Sequence, residues 1–264
     1  MTRDLKVATW NIFGGRTWDG GRVDLDLTLA VLRRLDADLV AVQEVDREQA
    51  RSGRADQARL LGEALGMEWR YAPALLGTPG NPNGWRAAAP GDADPGGTAY
   101  GIALLSRLPL EQAETVLLPQ AGRDEPRVAL VAELADGGRR LTVAGTHLSF
   151  VPGPNLRQLR ALQRHLDERG GPRLLLGDLN LWWPLVRMAS RPGWRPLVRG
   201  GTFRNRPPGA PGRLVQLDHV LAAGAAVALR PRDTRIVSGP ASDHKAVLVE
   251  LAWSSESAEG AWFG

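Results

Sequence analysis

Polar residues that can bind a metal ion or transfer a proton recur where the sequence predicts that strands end. The eight positions are Asn11, Glu44, His147, Asp178, Asn180, Asp218, Asp243 and His244. In segment 172–180, the apolar run 173–176 predicts a buried strand, and Gly177-Asp178-Leu179-Asn180 follows it with turn-forming residues. Open α/β sheets tend to bind ligands at the carboxyl ends of their strands. Alone, this segment is equally compatible with an ordinary turn, but the repetition of the pattern favours a site.

Together, these residue types suit the hydrolysis of a phosphoester. Glu44 and nearby carboxylates offer hard oxygen ligands for Mg²⁺ or Mn²⁺, and such an ion polarises a phosphoryl oxygen. A His–Asp pair supplies an oriented imidazole for proton transfer or for charge in the transition state. His147 and His244, each taken alone, would more often be structural than catalytic. His165 lies among charged residues of a predicted helix and is expected to be a solvated surface residue.

The composition excludes several other kinds of site. The chain of 264 residues has no cysteine, which excludes disulfides, thiol catalysis and cysteine-bound metals. The N-terminal residues show no secretory signal, and no apolar run approaches the roughly 20 residues that a membrane span needs. We therefore expect a soluble cytoplasmic protein with no transmembrane segment, and no obligate protein partner is evident.

The net charge of +4 permits a phosphate ligand but does not identify one. Of the 33 basic residues, Lys6 and Lys245 are the two lysines, and the arginines are scattered among 29 acids without a dense block. The charge therefore adds no argument for a particular partner.

The order of apolar patterns predicts a layered α/β protein. Predicted strands cover 5–10, 38–44, 69–72, 100–106, 114–118, 127–133, 139–147, 173–176, 214–221, 225–237 and 245–253. Predicted helices cover 25–35 after an Asp24 cap, 55–65, 155–169 and 182–189. Segments 73–97 and 192–212 are predicted to be irregular. Residues 1–253 are expected to form one domain, followed by a frayed tail at 254–264.

The pattern also predicts how the strands are arranged. The four strands between residues 100 and 147 read as an antiparallel meander, with a hairpin turn at Asp136-Gly137-Gly138. The two halves of the chain each mix strands with helices. This predicts two sheets packed face to face with helices outside.

Seven short motifs follow one another in an order that resembles the endonuclease/exonuclease/phosphatase superfamily. They are Thr9-Trp10-Asn11, Gln43-Glu44, Leu104-Leu105-Ser106-Arg107, Thr146-His147-Leu148, Gly177-Asp178-Leu179-Asn180, Leu217-Asp218-His219 and Ser242-Asp243-His244. Each motif is weak alone, but seven in this order between about residues 5 and 252 form a strong signal. The resemblance implies a DNase I-like four-layered α/β sandwich, in which helices flank two packed mixed β-sheets.

The resemblance also implies roles for the residues at the centre of the site. Glu44 would be the main ligand of a Mg²⁺ ion, with Mn²⁺ as an alternative, and Asn11 would lie close to the metal and the phosphate. Asp178 would orient or activate the attacking water. Asn180 would hold a phosphate oxygen.

Further roles concern the residues around this centre. By resemblance, His244 would contact the scissile phosphate or transfer a proton, and His147 would contact the phosphate from the other side. Asp218 would support His244 or the metal, and Asp243 would be a further carboxylate on the metal side. Arg127, in Glu125-Pro126-Arg127, resembles an arginine that the family places near the site.

Two more motif neighbours have uses that the sequence leaves open. Trp182 and Trp183 directly follow Asn180, where a side chain can flank the substrate by stacking. For at least one of them, packing against the core or a helix is the more common use. His219 is read as supporting structure.

Departures from the family pattern bear on the substrate. Apurinic endonucleases generally have an acid where Phe13 stands and usually a tyrosine where His147 stands. Secretory deoxyribonucleases pair that histidine with a glutamate, and segment 98–107 contains no acid. The chain instead resembles uncharacterised bacterial members that combine Gly-Asp-Leu-Asn with a Leu-Asp-His strand.

The resemblance therefore implies a Mg²⁺-dependent phosphoesterase that hydrolyses a phosphodiester or phosphomonoester by in-line attack of water, with nucleic acid as one candidate substrate. An enzyme resembling a phosphatase or phospholipase C, acting on a lipid or small-molecule phosphoester, is the alternative. A catalytically inactive phosphate-binding module of the same fold is the non-enzymatic alternative.

Overall fold

Two mixed β-sheets pack face to face in the computed structural model, which describes residues 3–19, 21–80, 84–89, 92, 97–122, 124–136, 139–204, 214–224 and 231–253. The strands, numbered in chain order, are β1 Arg3–Asn11, β2 Leu39–Arg47, β3 Glu68–Gly77, β4 Trp85–Ala87, β5 Ala99–Ser106, β6 Leu110–Leu117, β7 Val128–Asp136, β8 Arg139–His147, β9 Arg173–Asp178, β10 Arg195–Pro196, β11 Phe203–Arg204, β12 Leu214–Val215, β13 Asp218–Ala223, β14 Pro231–Val237 and β15 Ala246–Trp253. The helices are α1 Leu25–Leu35, α2 Gln57–Leu65, α3 Pro154–Asp167 and α4 Trp183–Ala189.

Each sheet contains one parallel pair of strands, made by a helical crossover. The first sheet has the order β14-β15-β1-β2-β5-β3-β4, and the second has the order β10-β13-β9-β8-β7-β6. β1 and β2 are parallel and joined through α1, while β8 and β9 are parallel and joined through α3. Because parallel neighbours end at the same edge of a sheet, each crossover brings two strand ends together.

Alternation along the strands separates the core into layers. In β1, Leu5 and Val7 pack between the sheets, whereas Ala8 and Trp10 pack towards α1 and α2. β9 is buried on both faces, because the leucines of 174–176 alternate between the inter-sheet core and α3. This explains why β9 is a continuous apolar run in the sequence. The predicted four-layered α/β sandwich is confirmed.

Local signals set the helix ends, and the predicted Asp24 cap is among them. The Asp24 side chain accepts a hydrogen bond from the backbone of Leu27 and caps α1, and Asp56 caps α2 in the same way. Gly66 ends α2 in a left-handed conformation, with φ of 63°. These caps fix where α1 and α2 begin.

The structure corrects several predicted boundaries. β3 extends to Gly77 and pairs with β4, so segment 73–97 contains a hairpin. β5 pairs with β2 and β3 in the first sheet, and the meander consists of β6, β7 and β8. The C-terminal strands β14 and β15 also join the first sheet, so the sheets do not correspond to halves of the chain. Segment 192–212 contains the short strands β10 and β11.

The predicted strand 214–221 is interrupted at Gln216. Its side chain accepts a hydrogen bond from the backbone N–H of Gly200 at 2.9 Å and donates one to the carbonyl of Val198 at 3.1 Å. These bonds replace strand pairing and separate β12 from β13.

Some predicted segments lie outside the described residues. They are 137–138 of the expected hairpin turn, 81–83, 90–91 and 93–96 of the expected loop, 205–212 of the irregular segment, 225–230 of the expected strand 225–237, and the tail 254–264. Among the described helices, none is long and apolar enough to cross a bilayer.

Gly177 is required by the close approach of β8 to β9. A Cβ atom at this position would lie 2.1 Å from the carbonyl oxygen of Thr146. We expect Gly177→Ala to lower the free energy of unfolding by about 1–3 kcal/mol, because the parallel pair must separate to admit the methyl group. Urea denaturation measures this, with Gly21→Ala in an exposed loop as the control. Equal stability of the two variants would contradict the account.

Candidate active site between the two sheets

The strand ends of both sheets bring the predicted site residues together. In the second sheet, His147 lies opposite Asp178 at the end of the parallel pair β8 and β9, and Asp218 lies opposite Asp178 on the antiparallel neighbour β13. In the first sheet, Asn11 lies opposite Gln43 where β1 and β2 run side by side. These pairings place an amide, an imidazole and two carboxylates at one edge of the sandwich.

Asn11 links the two sheets through its side-chain amide. Its Nδ2 donates to Oε1 of Glu44 at 3.0 Å and to Oδ2 of Asp178 at 3.1 Å. Its Oδ1 accepts a hydrogen bond from the backbone N–H of Phe13 at 3.0 Å, which fixes the orientation of the amide. One buried side chain thus holds a carboxylate from each sheet.

Glu44 lies in a β-bulge inside β2. The sequence predicts that β2 ends at this residue, but the strand continues to Arg47, and its register against β5 shifts between Gln43 and Val45. Glu44 has a φ of 57°, so the bulge breaks the alternation of side chains and turns this carboxylate to the site. Burial raises the pKa of Glu44 above its usual range, and the nearby charge of Asp243 raises it further, against the hydrogen bond from Asn11.

His244 and Asp218 form a buried pair. Nδ1 of His244 lies 2.8 Å from Oδ2 of Asp218, and its Nε2 lies 3.6 Å from Oδ2 of Asp178. Burial by itself would lower the pKa of His244, but the carboxylates of Asp218 and Asp178 outweigh it and raise the pKa to about 10. The imidazole is therefore protonated at neutral pH.

Asp178 lies at the centre of the constellation. Its Oδ1 accepts a hydrogen bond from the backbone N–H of Asn180 at 3.0 Å, and its Oδ2 lies 3.6 Å from Nε2 of His147. Burial and the charge of Asp218 raise the pKa of Asp178 to about 7, while His244 opposes the shift. A carboxyl group with this pKa accepts a proton readily near neutral pH.

His147 and Asn180 form the other side of the site. Nδ2 of Asn180 lies 3.2 Å from Nε2 of His147 and donates to the carbonyl of Leu148 at 3.0 Å. Asn180 has a φ of 49°, which reverses the chain directly after β9. Burial lowers the pKa of His147 well below its usual range, and the neighbouring charges of Arg127 and His244 act in the same direction. This imidazole is neutral, in contrast to that of His244.

Supporting residues that the sequence reasoning missed hold Asp218 and His244 in place. The Thr202 hydroxyl accepts hydrogen bonds from the backbone of Leu217 and Asp218 at 3.0 and 3.1 Å. The Phe203 ring packs on the His244 ring with 4.7 Å between their centroids. No motif marks Thr202 or Phe203, because their role depends on the fold of a segment predicted to be irregular.

Ser242 fixes the loop that carries His244. Its hydroxyl donates to the carbonyl of Asn11 at 2.6 Å and accepts from the backbone N–H of His244 at 3.0 Å. The carbonyl of His244 in turn accepts a hydrogen bond from the indole N–H of Trp10 at 3.1 Å. The final motif is therefore attached to the end of β1.

The remaining predicted residues lie around this centre. Arg127 is buried and donates from Nη2 to Glu125 at 3.0 Å, and it borders a small cavity that His147 also lines. Asp243 is partly buried, and burial raises the pKa of its carboxyl group. Trp182 is largely exposed just beyond Asn180. His165, expected to be solvated, is partly buried and lies 2.6 Å from a Glu114 carboxylate oxygen.

A small open cleft of about 120 Å³ lies beside His244. Its lining residues are Trp18, Ser238, Gly239, Ser242, Asp243, His244 and Lys245. Trp18 and Lys245 thus line the same cleft as His244.

Two sets of side chains could hold a metal ion. Ligand atoms of Asp178, Asp218 and His244 lie within 4.8 Å of one another. In this set, however, Nδ1 of His244 is already hydrogen-bonded to Asp218. Glu44 and Asp243 both offer hard carboxylate oxygens. Burial of Glu44 and repulsion by Asp243 raise the pKa of Glu44, and a divalent cation would relieve both effects. The residues therefore fit a hard divalent cation.

The comparisons with known proteins identify the family. The model of the Endonuclease/Exonuclease/phosphatase family matches residues 8–244. The chain belongs to this family. Its members are generally phosphoester hydrolases, and the seven-motif resemblance is thereby confirmed. No curated protein sequence is similar enough to be matched.

Solved structures of family members share the fold. An endonuclease/exonuclease/phosphatase from Beutenbergia cavernae is 26% identical with a TM-score of 0.72, covering 96% of this chain and 72% of the other. A family protein from Bacteroides thetaiotaomicron is 18% identical with a TM-score of 0.69, covering 97% of both chains. Truncated TDP2 from Caenorhabditis elegans is 17% identical with a TM-score of 0.67, covering 95% of this chain and 98% of the other.

His219 supports the structure and gives stability a pH dependence. Its Nε2 lies 2.8 Å from the carbonyl of Leu181, and burial lowers its pKa to about 4, against the effects of that carbonyl and of Asp218. In the unfolded chain the His219 ring takes up a proton near pH 6.5. In the folded protein the ring stays neutral until the pH falls towards 4. The stability from a neutral His219 is thus fully present above pH 6.5 and is lost as the pH falls towards 4.

We expect the parent to lose roughly 3 kcal/mol more unfolding free energy between pH 7 and pH 4 than His219→Gln, which has no titrating ring. Urea denaturation at a series of pH values measures this difference. Equal slopes for the parent and His219→Gln would show that the buried ring does not titrate as described.

Proposed function

We propose that the protein is a metal-dependent phosphoesterase that hydrolyses a phosphodiester by in-line attack of water. The observation that carries this proposal is one buried polar cluster: Asn11 hydrogen-bonds both Glu44 and Asp178, and His244, hydrogen-bonded to Asp218, places Nε2 3.6 Å from Oδ2 of Asp178. The cluster contains a carboxylate suited to bind a metal ion (Glu44), a base with a pKa near neutrality (Asp178) and a protonated imidazole (His244). Such a set of residues supports an enzyme rather than an inactive phosphate-binding module, because a suitable residue is present for each chemical role.

Glu44 would be the main ligand of a Mg²⁺ or Mn²⁺ ion, with Asp243 and Asn11 on the same side. When bound, the ion would polarise the phosphoryl oxygen and stabilise charge on the leaving oxygen. Asn11 keeps the Glu44 carboxylate oriented through its hydrogen bond at 3.0 Å. The carboxylate is therefore positioned before a ligand arrives.

Side chains of the protein would accept and donate the protons. The water oxygen forms the new bond to phosphorus while Asp178 accepts the water proton. The ester P–O bond breaks, and protonated His244, held by Asp218, donates a proton to the leaving oxygen. Asn180 and neutral His147 would contact phosphate oxygens without adding negative charge. No covalent intermediate with the enzyme is formed.

The cleft beside His244 supports a substrate with a substituent beyond the scissile phosphate. An aromatic or anionic substituent would fit between Trp18 and Lys245. A nucleic-acid diester is one candidate, since TDP2 from D. rerio, 14% identical with a TM-score of 0.68, has been solved with a single-strand DNA product. This neighbour supports the candidate through the shared fold.

The first test is hydrolysis of a panel by purified protein. The panel contains a chromogenic phosphodiester, a phosphomonoester, supercoiled plasmid and a phosphosphingolipid, each with Mg²⁺, Mn²⁺ or EDTA. We expect turnover that requires the metal and falls at least about 100-fold in Glu44→Ala and His244→Ala. His165→Ala, which removes a histidine paired with a carboxylate away from the site, should retain the parent rate. Full activity in Glu44→Ala or His244→Ala would place the catalytic centre elsewhere.

The His244–Asp218 pair makes a separate prediction. Asp218→Asn keeps the size of the side chain but removes the charge that holds His244 protonated. We expect kcat to fall by about 10²–10⁴-fold while KM changes little, because the proton donor rather than substrate binding is impaired. Steady-state kinetics on the preferred panel substrate measure both constants. A change confined to KM would assign Asp218 to substrate binding.

A further inference from the structure

Exposed apolar side chains follow the ends of the two strands that carry His147 and Asp178. Phe150, Trp182, Leu185 and Met188 are 67%, 62%, 43% and 79% exposed, and they are four of the six large hydrophobic residues that are exposed in the described part of the chain. Trp182, Leu185 and Met188 recur every third residue at and along α4, so they share one side of the helix. We call these four residues the apolar patch.

The apolar patch adjoins the loops of the site. Phe150 follows the end of β8, and Trp182 follows the end of the neighbouring parallel strand β9. Asn180 donates from Nδ2 to the carbonyl of Leu148 at 3.0 Å, and Asn155 donates to the carbonyl of Asn180 at 3.1 Å. The same hydrogen bonds that position Asn180 therefore hold the two segments of the patch together.

Core packing does not explain this side of α4. The helix buries Val186 and Ala189 against α3 and the second sheet, which satisfies its requirement for apolar burial. Met188 projects outward between these residues. An apolar surface of this kind beside a site commonly marks an interaction face.

The segments that carry the apolar patch are basic and lack acids. Residues 179–217 contain no Asp or Glu and seven arginines, namely Arg187, Arg191, Arg195, Arg199, Arg204, Arg206 and Arg213. Residues 148–166 contain no acid and three arginines, namely Arg157, Arg160 and Arg164. Arginines are scattered along the whole chain, but in these two segments no acidic residue balances them.

Two of these arginines flank the apolar patch directly. The guanidinium groups of Arg187 and Arg199 lie 5.8 and 4.8 Å from the ring centroid of Trp183. Both side chains are exposed, and neither forms an ion pair with the described residues. Their charges remain available to an anionic surface next to the apolar side chains.

We propose that the apolar patch docks onto an anionic lipid bilayer. Phe150, Trp182, Leu185 and Met188 would enter the interfacial region, while Arg187 and Arg199 would contact lipid phosphates. The aliphatic chains of Leu185 and Met188 favour a lipid partner over single-stranded nucleic acid, because nucleic acid would use the aromatic rings for stacking and leave the aliphatic side chains exposed. Docking in this position would turn the proposed active site towards phosphoesters at the bilayer surface.

Co-sedimentation with vesicles tests the proposal. Purified full chain is mixed, in EDTA so that no substrate is turned over, with vesicles of phosphatidylcholine or of phosphatidylcholine with phosphatidylserine. We expect binding to the anionic vesicles that weakens with added salt. The double variant Leu185→Gln/Met188→Gln should bind at least about tenfold more weakly, and Arg187→Gln/Arg199→Gln should lose the preference for anionic lipid.

Matched controls distinguish binding through the apolar patch from nonspecific binding. Leu117→Gln changes an exposed leucine on the edge strand β6, and Arg33→Gln changes an exposed arginine on α1 in the opposite helical layer. Both should bind like the parent, and unchanged melting temperatures would show that all variants are folded. A single-stranded oligonucleotide is tested in parallel.

Absence of vesicle binding would overturn the proposal, and so would binding that the Leu185→Gln/Met188→Gln variant retains or that Leu117→Gln reduces equally. Oligonucleotide binding without vesicle binding would overturn it in favour of nucleic acid. Since binding is measured without turnover, failure of docking and failure of the proposed hydrolysis are read independently.

Discussion

Two carboxylates buried side by side are the constraint on which the rest of this site depends. Asp178 and Asp218 lie opposite each other on paired strands and are almost fully inaccessible to water. Their repulsion and desolvation would be strongly destabilising without a cation and hydrogen-bond donors nearby. His244 supplies the positive charge, and Asn11 and the backbone of Asn180 supply donors. The fold must deliver all of these groups to one place.

Both sheets are needed to meet this requirement. The second sheet carries the two carboxylates, whereas Asn11 and the loop holding His244 belong to strands of the first sheet. The core between the sheets fixes their separation, so a hydrogen bond of about 3 Å across the interface persists only if the packing is rigid. The same rigidity keeps Glu44, the proposed metal ligand, close to Asp178 and His244, the proposed base and acid.

The environment around the site differs on its two sides. The cleft is lined by Trp18, Asp243 and Lys245, and the apolar patch is flanked by Arg187 and Arg199, which form no ion pair within the described part of the chain. In the proposed catalytic centre the two histidines have opposite environments: carboxylates hold His244 protonated, and burial beside Arg127 keeps His147 neutral. One imidazole can therefore donate a proton while the other stays uncharged.

The sequence by itself determined the layered fold, most of its helices and strands, and the residues that meet in the site. These features depend on local signals: apolar runs such as 174–176, caps such as Asp24, and polar residues placed at strand ends. The tertiary structure alone decided that β2 continues past Glu44 through a bulge, that β14 and β15 return to the first sheet, and that Thr202 and Phe203 support Asp218 and His244. Strand partners and bulges depend on contacts between residues far apart in the chain, which carry no local pattern.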